Sequence, residues 1–329
     1  MAAIELVLVD VSLDVNDDEK GCRFTSLVDE VLTNCSTAEA FLASEEAAIC
    51  NLRRNCLDCF FGRGQAQRIE SDEDVEERLK KSVSKYVKGE DRYIHLASLV
   101  LKSQTFHLSQ GTENDRPIID LPRTEKGKPF IPRNNSLQFS VSHQFPFVGI
   151  ARCRTKNNEV HLGMDIVVFE SINANLYRTP EDFVSVFRSS FAESEWKIIQ
   201  SAKETVREFY LRWAIKEAYT KAVGHGLSLE FSSFETRLNG IDGSLWDHVL
   251  SSENGCSLHG EVFVLKTGRK ESWDFFFRQL GSSSGRQGCV CICSGPLLKS
   301  KARQMLPVPK IAWTVIQDVM EWHSTPIQI

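Results

Sequence analysis

The stretch Thr205-Val-Arg-Glu-Phe-Tyr-Leu-Arg-Trp-Ala-Ile-Lys-Glu-Ala-Tyr-Thr-Lys-Ala-Val-Gly224 reads as one helix. Leu211, Ile215, Ala218, Tyr219, Ala222 and Val223 recur at helical spacing and form an apolar stripe. Trp213, Glu217 and Lys221 stand four residues apart on a flanking stripe, and Gly224 and Gly226 end the helix. Downstream, residues 229–238, 261–266, 273–280 and 288–294 read as strands, with a polar loop over 239–255 and a turn over 281–287. Upstream, Val160, Leu162, Met164 and Ile166 alternate with Glu159, His161, Gly163 and Asp165 as on a strand, and Pro180 opens a helical region to about Gln200. Before that, Leu137, Phe139 and Val141 alternate with Gln138, Ser140 and Ser142 in a half-buried strand, and Phe147 to Cys153 completes a hairpin. Residues 111–135, with four prolines, form an ordered loop; 90–104 a buried helix; 70–88 a charged helix with a solvated face; 36–61 a helical stretch; 4–11 a strand. The tail beyond Pro296, with Ile311, Trp313 and Val315, is expected to dock as a helix.

Strands that follow one another without intervening helices favour an α+β fold over a parallel sheet. The expected organisation is an N-terminal lobe (1–155), a C-terminal lobe (156–295) and a tail (296–329). Neither the Rossmann nor the P-loop glycine signature occurs, which argues against those nucleotide sites. A chain of 329 residues, 42% hydrophobic, can bury a core without disulfide staples. Its net charge of -5 argues against a general nucleic-acid binder. The first apolar run carries Glu5 and Asp10 and lacks a basic start, so no secretory signal is expected and the ten cysteines should be reduced. Cys56 and Cys59 form one CxxC with no second ligand pair at zinc spacing. No uncharged apolar run is long enough for a membrane span, and the expected location is the cytosol.

Several residues could carry chemistry. Asp165 follows an apolar, glycine-bearing strand segment and could ligate a metal, although from this strand alone a turn-stabilising or capping aspartate is the favoured reading. Glu217 and Lys221 could be a surface pair, but a surface pair does not explain Trp213 one turn earlier on the same stripe. Arg123, Lys126 and Lys128 surround Gly127 in a loop suited to phosphate oxygens. Ser142 is the last residue of the alternating strand, and His143 and Gln144 follow directly on it; by itself His143 reads as a satisfied structural histidine.

The order of five motifs is more telling than any one of them. They are Arg123-Thr-Glu-Lys-Gly-Lys-Pro129, Phe139-Ser-Val-Ser-His-Gln144, Gly163-Met-Asp-Ile166, Phe191-Ala-Glu-Ser-Glu-Trp196 and Arg212-Trp-Ala-Ile-Lys-Glu-Ala-Tyr-Thr-Lys-Ala-Val-Gly224. Together they resemble the 4'-phosphopantetheinyl transferases of the single-chain, pseudo-dimeric type, in particular the eukaryotic members that activate fatty-acid synthase and aminoadipate reductase. Asp91-Arg-Tyr-Ile-His-Leu-Ala-Ser98 is similar to the family's first-lobe helix, and the resemblance covers about residues 75–295. It implies two pseudo-twofold-related lobes with coenzyme A in the cleft between them. It implies transfer of phosphopantetheine to an apo acyl or peptidyl carrier protein, with Mg2+ held by Asp165 and Glu217. Val167 replaces the third acid of many bacterial members, and Gln144 is the candidate substitute ligand. Glu217, Lys221 and His143 are implied as catalytic. Arg123, Lys128, Ser142, His143, Lys221, Lys81 and Lys85 are implied as cofactor contacts. Arg207, Arg212 and Lys216 are the cations available for carrier docking. The chain is expected to be a monomer that engages neither nucleic acid nor membrane. A rival class, an inactive coenzyme A-binding module, need not keep Asp165, Glu217 and Lys221 together. A metal-dependent phosphohydrolase would call for more clustered carboxylates or histidines.

Overall fold

The computed structural model describes residues 4–12, 72–110, 121–131, 137–155, 160–241, 243–297 and 310–314. The helical stretch expected over 36–61 and the Cys56–Cys59 pair lie outside them. Two sheets are formed. The first has the order β2-β3-β1-β9, from β1 (Ile4–Asp10), β2 (Leu137–Gln144), β3 (Phe147–Arg154) and β9 (Lys310–Thr314). The second has the order β4-β8-β7-β6-β5, from β4 (His161–Val168), β5 (Phe234–Leu238), β6 (Cys256–Val264), β7 (Arg269–Gly281) and β8 (Gln287–Gly295). All pairings are antiparallel except β1 with β9. The mixed helix and antiparallel-sheet composition is the α+β class expected from the sequence.

The strand period of two explains the layering. Ile4, Leu6 and Leu8 of β1 and Phe147 and Ala151 of β3 meet Leu162, Met164 and Ile166 of β4 and Val290 and Ile292 of β8 in one core, so the sheets pack face to face. The opposite face of β1 and β3 (Val7, Val9, Val148, Ile150) is covered by α2 (Gly89–Gln110) through Tyr93, Leu96 and Val100. Before it, α1 (Asp72–Ser84) keeps a charged outer face but buries Leu79 and Val83. The outer face of the second sheet is covered by the helix read first from the sequence, whose apolar stripe falls in one core with Val167, Cys289, Cys291 and Cys293. Each fully buried Leu, Ile or Phe contributes about 1.5–3 kcal/mol. The three cysteines of β8 are free, and burial raises their thiol pKa values, so they serve as small apolar core residues.

Four expectations change in detail. The helical region 180–200 is broken into α3 (Pro180–Ser185), a 3-10 turn at Arg188–Ser190, and α4 (Glu193–Ser201). The break is local chemistry: Glu195 reaches back to the Ala192 N–H at 3.0 Å and starts a new helix. The following helix is α5 (Thr205–Ala222). The strand expected over 229–238 begins only at Phe234, after a 3-10 turn at Phe231–Ser233, because the Lys216 ammonium draws the Phe231 and Phe234 carbonyls around it. The polar loop 239–255 contains α6 (Leu245–Leu250), capped by Ser244 and anchored by buried Leu245, Trp246 and Val249. The tail docks as a strand at Lys310–Thr314, beside the outer edge of β1, and not as a helix. Its apolar residues at 311, 313 and 315 in fact recur every second position.

Where the sheets' edges meet, β2 and β4 are joined by side chains. Ser140 Oγ accepts from Met164 N at 3.0 Å, Ser142 Oγ from Ile166 N at 3.1 Å and Gln144 Oε1 from Val168 N at 2.9 Å. The polar face of β2 satisfies the edge donors of β4. Ser140 and Ser142 are buried.

Candidate active site

The helix α5 crosses β4 at Gly163. A Cβ there would lie 1.9 Å from the Ala218 carbonyl oxygen and 2.5 Å from the Ala222 nitrogen, so only glycine permits the approach. That contact sets Asp165, two residues along the same face of β4, against Glu217 and Lys221 of α5. Gly224, at φ 76°, ends the helix, and His225 N closes back on the Thr220 carbonyl at 3.0 Å.

A cavity of about 590 Å³ opens at this junction. Ser142, His143 and Gln144 line it from β2, Asp165 from β4, and Glu217 and Lys221 from α5. Lys221 Nζ lies 2.7 Å from Asp165 Oδ1 and 2.9 Å from Ser142 Oγ, and Ser142 itself donates to the same Oδ1 at 2.9 Å. Among the described residues, Asp165 Oδ2 and the Glu217 carboxylate have no hydrogen-bond partner. Burial raises the Glu217 pKa, the nearby Asp165 raises it further, and Lys221 opposes them. His143 is exposed at the mouth. The protein around its ring lowers its pKa, as do Lys221 and Lys102, so at pH 7 it is a neutral imidazole.

The far wall is aromatic: Phe183 and Phe187 around α3, and Phe209, Tyr210 and Trp213 on α5. Phe187 packs edge-on to Trp213 at 5.3 Å between ring centroids, and Phe183 edge-on to Phe209 at 5.8 Å. Sequence reading singled out only Trp213 among these. The spacing of Phe183 and Phe187, four residues apart, was the available signal.

Residues 161–266 match the model of the 4'-phosphopantetheinyl transferase superfamily, and residues 70–155 match that of the N-terminal part of 4'-phosphopantetheinyl transferases. The chain belongs to the 4'-phosphopantetheinyl transferase superfamily. A phosphopantetheinyl transferase of Thraustochytrium sp. is 31% identical over 178 residues, 51% of this chain and 58% of the relative. The L-aminoadipate-semialdehyde dehydrogenase-phosphopantetheinyl transferase of Homo sapiens is 31% identical over 132 residues, 38% of this chain and 40% of the relative. Its namesake in Xenopus laevis is 30% identical over 163 residues, 47% and 48%. The chain thus spans about half the length of the curated relatives it matches.

The remaining residues suggested by the resemblance to these transferases lie outside the cavity lining. Arg123 is exposed and donates to the Gly127 carbonyl at 2.9 Å across its own turn. Lys128 donates to the Leu162 and Ala222 carbonyls at 3.1 and 2.9 Å, joining the loop to β4 and the end of α5. Burial lowers its pKa to about 8. Lys81 and Lys85 are exposed around the end of α1. Of the three cations considered for docking, Arg212 and Lys216 are buried. Arg212 pairs with Glu208 at 2.8 Å and Lys216 with Glu195 at 2.8 Å. Arg207 is half-buried and stacks on Trp246 at 4.7 Å. Arg212 and Lys216 therefore cannot form a docking patch. Among the described residues, no group of three or more His, Cys, Asp or Glu forms a ready-made metal site, and no helix is long and apolar enough to cross a membrane.

Proposed function

We propose that the chain transfers the 4'-phosphopantetheine moiety of coenzyme A to a serine of an apo acyl or peptidyl carrier protein and releases 3',5'-ADP. The observation that carries this reading is the convergence of Asp165, Glu217 and Lys221, from a strand and a helix, on one cavity where β2, β4 and α5 meet. Membership of the superfamily supports it. The names of the animal relatives support an aminoadipate-semialdehyde dehydrogenase as one acceptor. A carrier of fatty-acid synthesis is the other acceptor in this reading.

Asp165 and Glu217 would hold a magnesium ion. The donor set fits: two carboxylates share a cavity, Asp165 Oδ1 already holds a cation, and each acid retains an unpartnered oxygen. Magnesium commonly takes one or two carboxylates together with waters and phosphate oxygens. Gln144 would be the third ligand through the second lone pair of Oε1. When bound, the ion would offset negative charge on the pyrophosphate.

The chain's own residues act on the rest. Glu217 accepts the proton of the carrier serine, and its raised pKa makes it a stronger base than an ordinary carboxylate. The serine Oγ bonds to the β-phosphorus, the P–O bond to the nucleotide breaks, and 3',5'-ADP leaves with the electron pair. Lys221 donates to a phosphate oxygen as charge develops. His143, neutral, offers an N–H and not a charge. Arg123, Lys128, Lys81 and Lys85 are cations for the nucleotide phosphates. The buried, free cysteines suit a reducing compartment, and we place a monomeric enzyme in the cytosol, acting without nucleic acid or membrane.

The test is incubation of the purified chain with coenzyme A, magnesium and an apo carrier protein, followed by mass spectrometry. The expected result is one phosphopantetheine on the carrier and free 3',5'-ADP. Free phosphopantetheine with an unlabelled carrier would make the chain a hydrolase. Binding of coenzyme A without chemistry would make it an inactive module.

A further inference from the structure

Three cations of α5 form ion pairs that differ in burial. In Arg212–Glu208 and Lys216–Glu195, both at 2.8 Å, no side chain is more than 3% exposed. In Lys221–Asp165, at 2.7 Å, the lysine side chain is 29% exposed and the aspartate 9%. The two ends of this third pair also differ in freedom. Asp165 is an interior residue of β4, hydrogen-bonded in register with Cys291 of β8, and moves only with its strand. Lys221 reaches it from the last turn of α5 on a flexible four-carbon stem. Two acids face the cavity here, and one ammonium serves them. Lys221 is bonded directly to Asp165. At Glu217, burial and Asp165 raise the pKa and Lys221 opposes them. With both acids ionised, one ammonium leaves part of their negative charge uncompensated.

We propose that the Lys221 ammonium and a divalent cation are rivals for Asp165, so that loading the cation turns Lys221 off the carboxylate and frees it for a phosphate oxygen in the cavity. A doubly charged ion balances both acids, which one ammonium cannot. Two cations on one carboxylate, a few Å apart, repel each other appreciably even near a protein surface. The side chain that yields is the lysine, because its stem is flexible and the aspartate is fixed in the sheet. A partly exposed pair opens at little cost. The Lys216–Glu195 pair on the same helix, fully desolvated, does not open and is the internal control.

The inference rests on the transferase reading and its magnesium assignment, so the experiment is done on the full chain with neither carrier nor coenzyme A present. Mn2+ is the probe, and its Kd is read from the loss of the free-ion EPR signal. Wild type, Lys221→Met, Lys221→Arg and Asp165→Asn are compared. Lys221→Met, which keeps the stem and removes the charge, should bind Mn2+ at least about 10-fold more tightly than wild type, because the repelling charge is gone. Lys221→Arg, which keeps the charge, should not gain affinity, and Asp165→Asn should lose it. A second measurement needs no variant. In wild type labelled with 15N-lysine, saturating Mg2+ should speed hydrogen exchange of the Lys221 ammonium and leave that of Lys216 unchanged. Equal or weaker Mn2+ binding by a folded Lys221→Met would overturn the proposal and make Lys221 neutral toward the ion or a helper of it. Lys221 exchange unmoved by Mg2+ would overturn it as well, whether or not Lys221→Met folds. Failure of both wild type and Lys221→Met to bind Mn2+ would overturn the proposal together with the magnesium assignment. A chain that shows the rivalry yet labels no carrier would sink the transferase reading and uphold the inference about Lys221.

Discussion

Replacing Gly163 by alanine adds one methyl group and should disable the site. The new Cβ would lie 1.9 Å from the Ala218 carbonyl oxygen, 2.5 Å from the Ala222 nitrogen and 2.9 Å from its Cα. All three are backbone atoms of α5, so no change of rotamer relieves the clash. Restoring even a tight non-bonded separation of roughly 3 Å moves α5 back from β4 by on the order of 1 Å. Ala218 and Ala222 adjoin Glu217 and Lys221 in the chain, so these two side chains move with the helix. The Lys221–Asp165 contact of 2.7 Å would be stretched or lost. Misplacement by about 1 Å costs roughly 100-fold in rate, and overpacking costs about 1–3 kcal/mol of stability. The assay is kcat for carrier labelling together with urea unfolding. Gly281→Ala serves as control, because nothing lies within 4 Å of a Cβ at that position. A folded Gly163→Ala enzyme with kcat near the wild-type value would refute the argument that this glycine sets the distance between the acids.

Asp165→Asn and Glu217→Gln should each retain the fold and lose transfer, by roughly 100- to 10,000-fold for Glu217 as the proposed base, as followed by mass spectrometry of the carrier. Lys216→Met should destabilise the protein by about 3–5 kcal/mol, because it leaves Glu195 buried and uncompensated, and Glu195→Gln in the same chain should recover part of that loss. Additive losses in the double variant would count against a coupled pair. Lys128, at about 8 when folded against 10.5 ordinarily, gives up its proton earlier in the folded chain than in the unfolded one. Between those pH values the unfolded state binds more protons, so the Lys128 contribution makes stability rise with pH. Lys128→Met should remove that increment from unfolding curves taken at pH 8 and pH 10, and an identical pH slope in both proteins would refute it.

The parts of the fold that the sequence disclosed are those in which one periodicity dominates. The stripe Leu211, Ile215, Ala218, Tyr219 and Ala222 is core because α5 has a sheet beneath it. The alternation in β4 separates Met164 and Ile166, which face the other sheet, from Asp165 and Val167, which face the helix. Alternation divides a strand into two faces but does not say what covers the polar one. Ser140 and Ser142 lie on the polar side of a strand read as half-buried, with Gln144 just beyond it, and all three form the junction between the sheets. The aromatic wall was obscured for a different reason. It is assembled from α3 and α5, more than twenty residues apart in the chain, and no local window contains it. The strand at 310–314 pairs with residues 5–9, a separation that local propensity cannot reach.

The charged residues of α5 show how sequence intuition fails and why the failure is informative. Glu208, Arg212 and Lys216 recur every four residues and are all buried, although such a run ordinarily marks a wet face. Each is committed to a neighbouring element. Glu208 accepts from Arg212 and from Trp246 N at the start of α6, while Lys216 binds Glu195 of α4 and two carbonyls before and within β5. These bonds are directional, whereas the apolar packing beneath the helix is not. An apolar stripe alone would let α5 roll by a fraction of a turn at little cost. With Arg212 and Lys216 fixed, the adjacent positions 213 and 217 have one orientation left, toward the cavity. The buried ion pairs therefore set the azimuth of Glu217, as Gly163 sets its distance from Asp165.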